Sequence, residues 1–298
     1  MHQNYISTML SLFAYGLFAI SGLAQTESTG LNELRIKAKK GDAEAQCSLG
    51  DAYFDGEGVS KDLVEAVAWY RKASENGSAK AQCRLGYSYE SGEGVAKDSS
   101  EAVKWFRKAA EQGDAKGQYN LGRAYEQGTG VAKDNSEALK WFRKSAEKGF
   151  AKSQCLLGVL YHNGDLVPED YAEAIRWFRK AAEQDDADAQ YYLGDIYARQ
   201  TNYPEATKWL LKSAMLGDAR AQYKLGRIYH NGDGVPKNTT EAYAWYKIAG
   251  SNGVDIEKAF RVLTQLDMKS VPLITEAEER TKKLSKEIEV NISKKHRK

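Results

Sequence analysis

The sequence predicts an all-α protein built from about six stacked helix-turn-helix repeats, with helical caps at both ends. The first observation is a Leu-Gly pair that recurs six times, from Leu49-Gly50 to Leu225-Gly226, at four intervals of 36 residues and one of 32. The others are a tryptophan in every interval and a loop of the form G-x-G-V in most of them. A fixed period of this length indicates one structural unit repeated along the chain.

The first half of each repeat is predicted to be a helix, as the repeat 79–114 illustrates. Ala81, Leu85 and Tyr89 recur every four residues, which places them on one helical face. Gly86 lies in the middle of that helix, where glycine costs about 1 kcal/mol relative to alanine. Because this glycine recurs in all six repeats, we expect a steric need for it, namely close approach of the paired helix.

A glycine loop and a second helix complete the repeat. Gly92 and Gly94 supply the positive φ angles of a helix stop and a tight loop. Asp98 is predicted to be the N-cap of the second helix, with Glu101 three residues later as in a capping box. Tryptophan lies at one register of this helix in every repeat and is interpreted as core rather than as a cofactor-stacking ladder. These residues are Trp69, Trp105, Trp141, Trp177, Trp209 and Trp245.

A glutamine recurs on the packed face of every first helix. A buried amide must be hydrogen-bonded, so we expect each one to bond backbone of the adjoining repeat. The glutamines are Gln46, Gln82, Gln118, Gln154, Gln190 and Gln222.

The motif A-x-A-Q-x-x-L-G-x-x-Y-x-x-G-x-G-V, followed by an alanine and a W-[YF]-R-K-A cluster, resembles the Sel-one-like repeat family, a relative of the tetratricopeptide repeat. The resemblance implies a right-handed superhelical solenoid. Two repeats depart from the motif. Leu166 replaces the second loop glycine of repeat four, and repeat five lacks the glycine loop and is four residues shorter, so we expect an irregular loop edge there.

The predicted organisation follows the repeat array, because an open end of a solenoid would expose its apolar stripe unless a cap covers it. Within the caps we expect helices over Leu31–Lys40, Asp255–Leu266 and about Thr275–Glu289. The domains are a signal peptide at 1–24, a capping helix in 25–42, six repeats over 43–253, and C-terminal capping helices with a basic tail over 254–298.

The resemblance also implies a binding surface. In the tetratricopeptide class the first helices line a concave groove, and Arg, Lys and Tyr interleaved there suit an extended protein or peptide partner. The alternative is that these side chains only solvate each helix. Carrying the class positions over gives Lys80, Tyr87, Glu90, Lys116, Tyr119, Arg123, Glu126, Tyr191, Asp195, Arg220, Tyr223 and Arg227.

Composition and motifs favour a non-enzymatic adaptor or scaffold. The net charge is +2, from 43 basic and 41 acidic residues, which gives no footprint for nucleic acid. No phosphate loop, dinucleotide motif or H-E-x-x-H appears, and His162 and His230 share a register two repeats apart, too far to share one ion. The sequence therefore predicts no catalytic residue, no metal and no cofactor.

An enzymatic alternative comes from the resembled family, some of whose cysteine-rich secreted members are described as β-lactamases or penicillin binders. Those members carry two cysteines per repeat, whereas three repeats here carry one each, at Cys47, Cys83 and Cys155. Equivalent positions on stacked repeats lie about 10 Å apart, too far for a disulfide. Ser145-x-x-Lys148 matches one penicillin-binding motif, but no S-D-N or K-T-G accompanies it.

The N-terminus predicts export. Met9–Ala24 is apolar and uncharged, shorter than the roughly 20 residues of a membrane span. Gly22 and Ala24 provide small residues for signal-peptide cleavage near Ala24, which implies a periplasmic or secreted protein. An uncleaved segment is the alternative. The basic tail Arg280–Lys298 is expected to be a frayed end, with attraction to an acidic surface or anionic lipid as the alternative. An uncleaved N-terminal segment together with such a tail would make the protein a membrane-tethered assembly factor.

Overall fold

The computed structural model describes residues 30–254 and 271–296. The signal segment 1–24 and the predicted helix Asp255–Leu266 lie outside these residues. Within them, every regular element is an α-helix and no strand occurs, so the prediction of an all-α array of helix pairs is confirmed.

Fourteen helices are described, of which twelve form six consecutive pairs. A helix over 30–39 (α1) precedes the pairs, and α14 (Val271–His296) follows them. The first helices are α2 (Ala43–Asp55), α4 (Ala79–Ser91), α6 (Ala115–Gln127), α8 (Ala151–Asn163), α10 (Ala187–Arg199) and α12 (Ala219–Asn231). The second helices are α3 (Leu63–Glu75), α5 (Ser99–Glu111), α7 (Asn135–Glu147), α9 (Tyr171–Ala182), α11 (Tyr203–Met215) and α13 (Thr239–Ser251).

The helices form two compact halves, one ending at Lys148 and the other beginning at Gly149. In each half, the two helices of a repeat pack together, and a second helix packs on the first helix of the next repeat. The core is therefore a series of small clusters rather than one centre. The cluster around Leu121, for example, joins residues of α5 and α6 to Trp141.

The loops keep the predicted cap chemistry with one difference. Gly92 has a φ of 82° and ends α4, and the Asp98 carboxylate accepts hydrogen bonds from the backbone N–H of Ser100 and Glu101, both at 3.0 Å. The reciprocal half of a capping box is absent here, because the Asp98 N–H donates to the Tyr89 carbonyl at 2.9 Å. Glu101 instead pairs with Lys104 at 2.8 Å.

The expected irregularity of the loop edge is confined to repeat five. In repeat four, Leu166 adopts a φ of 62°, close to the 68–72° of Gly58 and Gly94 in the regular loops. The loop thus keeps its shape although a leucine takes the strained left-handed conformation. In repeat five, α10 and α11 are joined only by Gln200, Thr201 and Asn202, and Thr201 has a φ of 58°.

The steric role of the mid-helix glycines is confirmed. A Cβ on Gly86 would lie 2.6 Å from the Phe106 ring, and one on Gly194 would lie 2.5 Å from Leu210. The tryptophans pack as predicted, with at most 9% of each exposed. In repeats one to five, a lysine one turn later covers the indole face. For example, the Lys108 ammonium lies 4.0 Å from the centre of the Trp105 ring.

The C-terminal helix corrects the prediction of a frayed basic tail. α14 continues to His296, and its Leu284 and Ile288 are 2% and 4% exposed. They join Trp245 in one buried cluster, which explains why this tryptophan is only 1% exposed. The helix therefore packs against the last repeats through its apolar stripe. Among the described helices, none has the length and apolar character needed to cross a membrane.

Candidate binding surface on the first helices

The twelve predicted contact residues all lie on first helices, but they differ in exposure. We call their surface the first-helix face and describe it separately for each half. Lys80, Tyr87, Lys116, Arg123, Arg220 and Arg227 are exposed, Glu90, Tyr119, Glu126, Tyr191 and Tyr223 are half-buried, and Asp195 is buried.

In the N-terminal half, Asp51 organises one end of this face. Its carboxylate accepts hydrogen bonds from the Tyr70 hydroxyl at 2.9 Å and the Lys80 ammonium at 2.8 Å, and pairs with Arg84 at 3.0 Å. Lys80 is therefore already paired within the array. Asp51 is absent from the predicted contact set, although it follows a Leu-Gly pair at the register of Tyr87, Arg123 and Asp195.

The next positions of this half divide between packed and open side chains. The Tyr87 hydroxyl donates to Asn120 Oδ1 at 3.1 Å, and its ring meets Phe106 edge-on at 5.5 Å between centroids. Lys116 and Arg123 are exposed and make no ion pair with any described residue. Of the predicted contact residues in this half, Lys116 and Arg123 are therefore the cations open to a partner.

In the C-terminal half, α12 presents three cations on one helical face. Arg220, Lys224 and Arg227 lie at spacings of four and three residues, which places them on the same side. The Arg220 guanidinium lies 4.3 Å from the centre of the Tyr191 ring and also pairs with Asp188 and Asp218. This half therefore concentrates positive charge beside an aromatic side chain.

Asp195 corrects the predicted contact set. It is only 7% exposed, and its carboxylate binds the Lys224 ammonium at 2.5 Å and the Arg199 guanidinium at 3.0 Å. A side chain held in this way positions cations and does not offer its own charge to a partner.

An open cleft of about 200 Å³ lies beside this cluster. Its lining includes Arg199, Lys224 and Arg227, together with Asp195 and Asp233. Arg199 borders the shortened loop of repeat five, so the irregular loop edge and the cleft coincide. Arg227 is exposed and forms no ion pair in the part of the chain that the structure describes. It is the cation of this cleft that is open to a ligand.

The ion pairs of Asp195 predict an acid-dependent loss of stability. Burial acts to raise the pKa of Asp195, but Lys224 and Arg199 outweigh it and hold the pKa below its usual value. A lowered folded-state pKa stabilises the protein above the unfolded value of about 3.9, and the contribution is lost as pH falls through the folded pKa. We expect the difference in unfolding free energy between the native protein and Asp195→Asn to be constant near neutrality and to shrink below about pH 4. A difference that does not change on acidification, measured by urea unfolding, would contradict this.

The three cysteines are free and buried. Burial raises the pKa of the Cys47 thiol to about 11 and that of Cys83 to about 12, and it also raises the pKa of Cys155. Because the thiolate is the nucleophile, we expect no alkylation by iodoacetamide at about pH 8 until urea unfolds the protein. Intact mass before and after unfolding checks this, and rapid labelling of the native protein would refute it.

Ser145 and His162, the side chains considered for catalysis and metal binding, are held in packing and hydrogen-bond contacts. Ser145 is fully buried and donates a hydrogen bond to the Ala115 carbonyl at 2.6 Å, so its hydroxyl is unavailable as a nucleophile. The His162 ring packs edge-on against Tyr171 at 5.4 Å. Within the described residues, no group of three His, Cys, Asp or Glu side chains is placed to hold a metal ion.

Gln82, Gln118, Gln190 and Gln222 bond backbone of the preceding repeat as predicted, whereas Gln46 bonds the Ala38 carbonyl of α1. Gln82 Nε2 donates to the Ser74 carbonyl at 3.3 Å, and Gln222 Nε2 donates to the Ala214 carbonyl at 3.1 Å. Each acceptor belongs to the second helix of the preceding repeat. The glutamine, the mid-helix glycine and the tryptophan thus recur together at fixed positions of each repeat.

Comparison with known families agrees with this architecture. A family model described as Sel1 repeat matches residues 43–78, 79–114, 115–150, 151–186, 187–218 and 219–254. The chain belongs to the Sel1 repeat family. Proteins of this family are typically non-catalytic scaffolds for protein–protein interaction, so the predicted class of function is supported at that level.

Solved structures of similar proteins include two Sel1-like repeat proteins. The crystal structure of a Sel1 repeat protein from Oxalobacter formigenes is 32% identical, covers 75% of this chain and 100% of that chain, and superposes with a TM-score of 0.67. A protective antigen of uropathogenic Escherichia coli with an SLR fold is 28% identical over 91% of this chain and 74% of that chain, with a TM-score of 0.40.

The secretory immunoglobulin A-binding protein EsiB of Escherichia coli O6:H1 is 39% identical over 66 residues, or 22% of this chain. That match spans only 14% of the length of EsiB.

Proposed function

We propose that this Sel1 repeat protein is an exported, non-enzymatic adaptor that binds an acidic, extended segment of a partner protein on its first-helix face. The observation that carries the proposal is Arg227, an exposed guanidinium with no ion pair among the described residues, at the edge of an open cleft. Arginine forms a planar fork that matches a carboxylate in two parallel hydrogen bonds.

The charges around Arg227 favour an acidic ligand. Three cations line the cleft, Arg199, Lys224 and Arg227, against two carboxylates. Asp195 is already shared by Arg199 and Lys224, so it does not compete for Arg227. Nearby, Tyr191 under Arg220 offers rigid aromatic contact area to the same segment. An extended chain that carries Asp or Glu would therefore gain charge pairing and contact area together.

Charge reversal at Arg227 tests the proposal. The probe is a short fluorescent peptide of alternating Asp and Gly, and a peptide of alternating Lys and Gly measures non-specific binding. We expect Arg227→Glu to weaken binding of the acidic peptide about tenfold or more, equivalent to about 1.4 kcal/mol. Fluorescence anisotropy at low salt gives the affinities, since exposed charges are screened as salt rises.

Arg176→Glu is the matched control. Arg176 lies on the second helix α9, its side chain is 59% exposed and it pairs with Glu173 at 3.0 Å. The substitution changes net charge by the same amount away from the first-helix face, and it should leave binding nearly unchanged. Equal effects of the two reversals would show a general charge effect and would overturn the assignment of the cleft.

Export is part of the same proposal and is supported by Met9–Ala24, an uncharged apolar segment that ends in Gly22-Leu-Ala24. Intact mass of the protein recovered from its host envelope tests it. Loss of residues 1–24 is the expected result. A full-length, membrane-associated protein would instead favour the tethered alternative. In that case, weak contact between the basic C-terminal residues and anionic lipid would add to membrane attachment.

A further inference from the structure

The recurring glutamine of the first helices takes part in up to two kinds of hydrogen bond. Its Nε2 atom donates to the preceding helix, as described above for Gln82 and Gln222. In four repeats, its Oε1 atom accepts from a side-chain amide at the end of the second helix of the same repeat. These bonds join Asn76 to Gln46 at 2.9 Å, Gln112 to Gln82 at 2.8 Å, Gln184 to Gln154 at 2.8 Å, and Asn252 to Gln222 at 3.0 Å.

The other two repeats have no amide at this position. Lys148 replaces it in repeat three and Leu216 replaces it in repeat five. As a result, Oε1 of Gln118 and Oε1 of Gln190 find no donor among the described residues. The two glutamines are 4% and 0% exposed, and a buried acceptor without a donor is unfavourable.

Each of these glutamines lines a cleft, and the two clefts are equivalent. The cleft of repeat three has a volume of about 500 Å³, and that of repeat five about 440 Å³. Their shared positions are Gly113 and Asp185, Gln118 and Gln190, Lys144 and Lys212, and Lys148 and Leu216. One type of site therefore occurs twice, in both places where the amide is missing.

In repeat five, the chain covers the site with its own C-terminal helix. Asn291, Lys294 and Lys295 of α14 complete the lining, and the Lys295 ammonium donates to the Asp185 carbonyl at 2.7 Å. In repeat three, the cleft is lined by residues of α5, α6 and α7 and their ends. The covered copy shows that a polypeptide helix fits against this kind of site.

We propose that the cleft of repeat three binds a side-chain carboxamide, from an asparagine or glutamine of a partner polypeptide. The ligand N–H would donate to Gln118 Oε1, as the internal amides do in four other repeats. Its carbonyl oxygen would accept from the Lys144 or Lys148 ammonium at the rim of the cleft. A carboxylate would set oxygen against oxygen at Gln118. Lys144 and Lys148 are balanced in the lining by Glu111 and Glu147, so the formal charge of the cleft favours neither a cation nor an anion.

The test uses the full protein labelled with ¹⁵N, with propionamide as the probe and propionate as the matched acid. We expect propionamide to shift the Gln118 side-chain amide and Trp141 indole signals saturably, with little shift from propionate. Trp105 is the internal control, because Gln112 already donates to Gln82 in its repeat. Absence of a saturable shift at Gln118, or equal shifts from the acid, would overturn the proposal.

Two substitutions at Lys148 test whether binding depends on the missing internal amide. Neither one alters the other residues that line the cleft. Lys148→Gln restores the internal amide found in repeats two and four, and should weaken propionamide binding at least tenfold. Lys148→Met removes the ammonium without adding an amide and should retain most of the binding. Retained binding in Lys148→Gln, or equal loss in both variants, would contradict the proposal. Neither result affects the peptide test at Arg227, which reports on a different surface.

Discussion

Replacement of Trp105 by alanine is expected to lower the free energy of unfolding by about 3–5 kcal/mol. Trp105 is 9% exposed and packs with Tyr70 and Ala73 of repeat one and with Leu85 of its own repeat. Its loss would therefore leave a cavity between repeats one and two and remove a large part of the apolar contact between them. Urea unfolding followed by circular dichroism gives the free energy.

Two substitutions serve as controls for this prediction. Trp105→Phe keeps an aromatic ring in the cluster and is expected to lose clearly less than the alanine variant. Val64→Ala trims a side chain that is 68% exposed and should change the free energy of unfolding by less than about 0.5 kcal/mol. A loss at Trp105→Ala no larger than that at Val64→Ala would show that the tryptophan is not the joint between repeats.

The repeat geometry could be predicted because its parts are local and recur. Gly86 and Phe106 show this most directly. A glycine inside a helix costs stability, and here the Phe106 ring leaves no room for a Cβ. A sequence that repeats both residues at constant spacing reports a contact between two helices. The tryptophan core and the glutamine bond to the preceding repeat could be inferred in the same way.

The contact surface was less predictable because neighbouring repeats alter one another's charges. Asp195 occupies a position that is exposed in repeats two and three, yet Lys224 of the next repeat neutralises it. Asp51 is bound in the same manner by Lys80 and Arg84. Such pairs join residues about one repeat apart. The spacing of residues within one helix therefore does not predict them.

The C-terminal helix did leave a signal in the sequence. Ala277, Thr281, Leu284 and Ile288 lie at helical spacing and are all buried in the structure. The surrounding lysines and arginines obscure that stripe when the segment is considered by charge alone. Where this helix lies across the last repeats depends on tertiary contacts such as that between Arg280 and Glu241 at 2.5 Å, which no repeat pattern encodes.

Gly122→Ala is expected to lower the free energy of unfolding by about 1–3 kcal/mol, even though alanine favours a helix over glycine by about 1 kcal/mol. A Cβ at this position would lie 2.7 Å from two atoms of the Phe142 ring and 3.2 Å from the Ala138 carbonyl oxygen. Gly30→Ala is the matched control, because its added Cβ would meet nothing within 4 Å. Urea unfolding of both variants measures the difference.

A double-mutant cycle with Phe142→Ala tests the cause of that loss. Phe142 is fully buried against α6, so its removal opens the space that the Gly122→Ala methyl group needs. The loss for the double variant should then be smaller than the sum of the two single losses by about 1 kcal/mol or more. Additive losses would place the strain in the backbone of α6 instead, and the recurring glycine would need an explanation other than the approach of the paired helix.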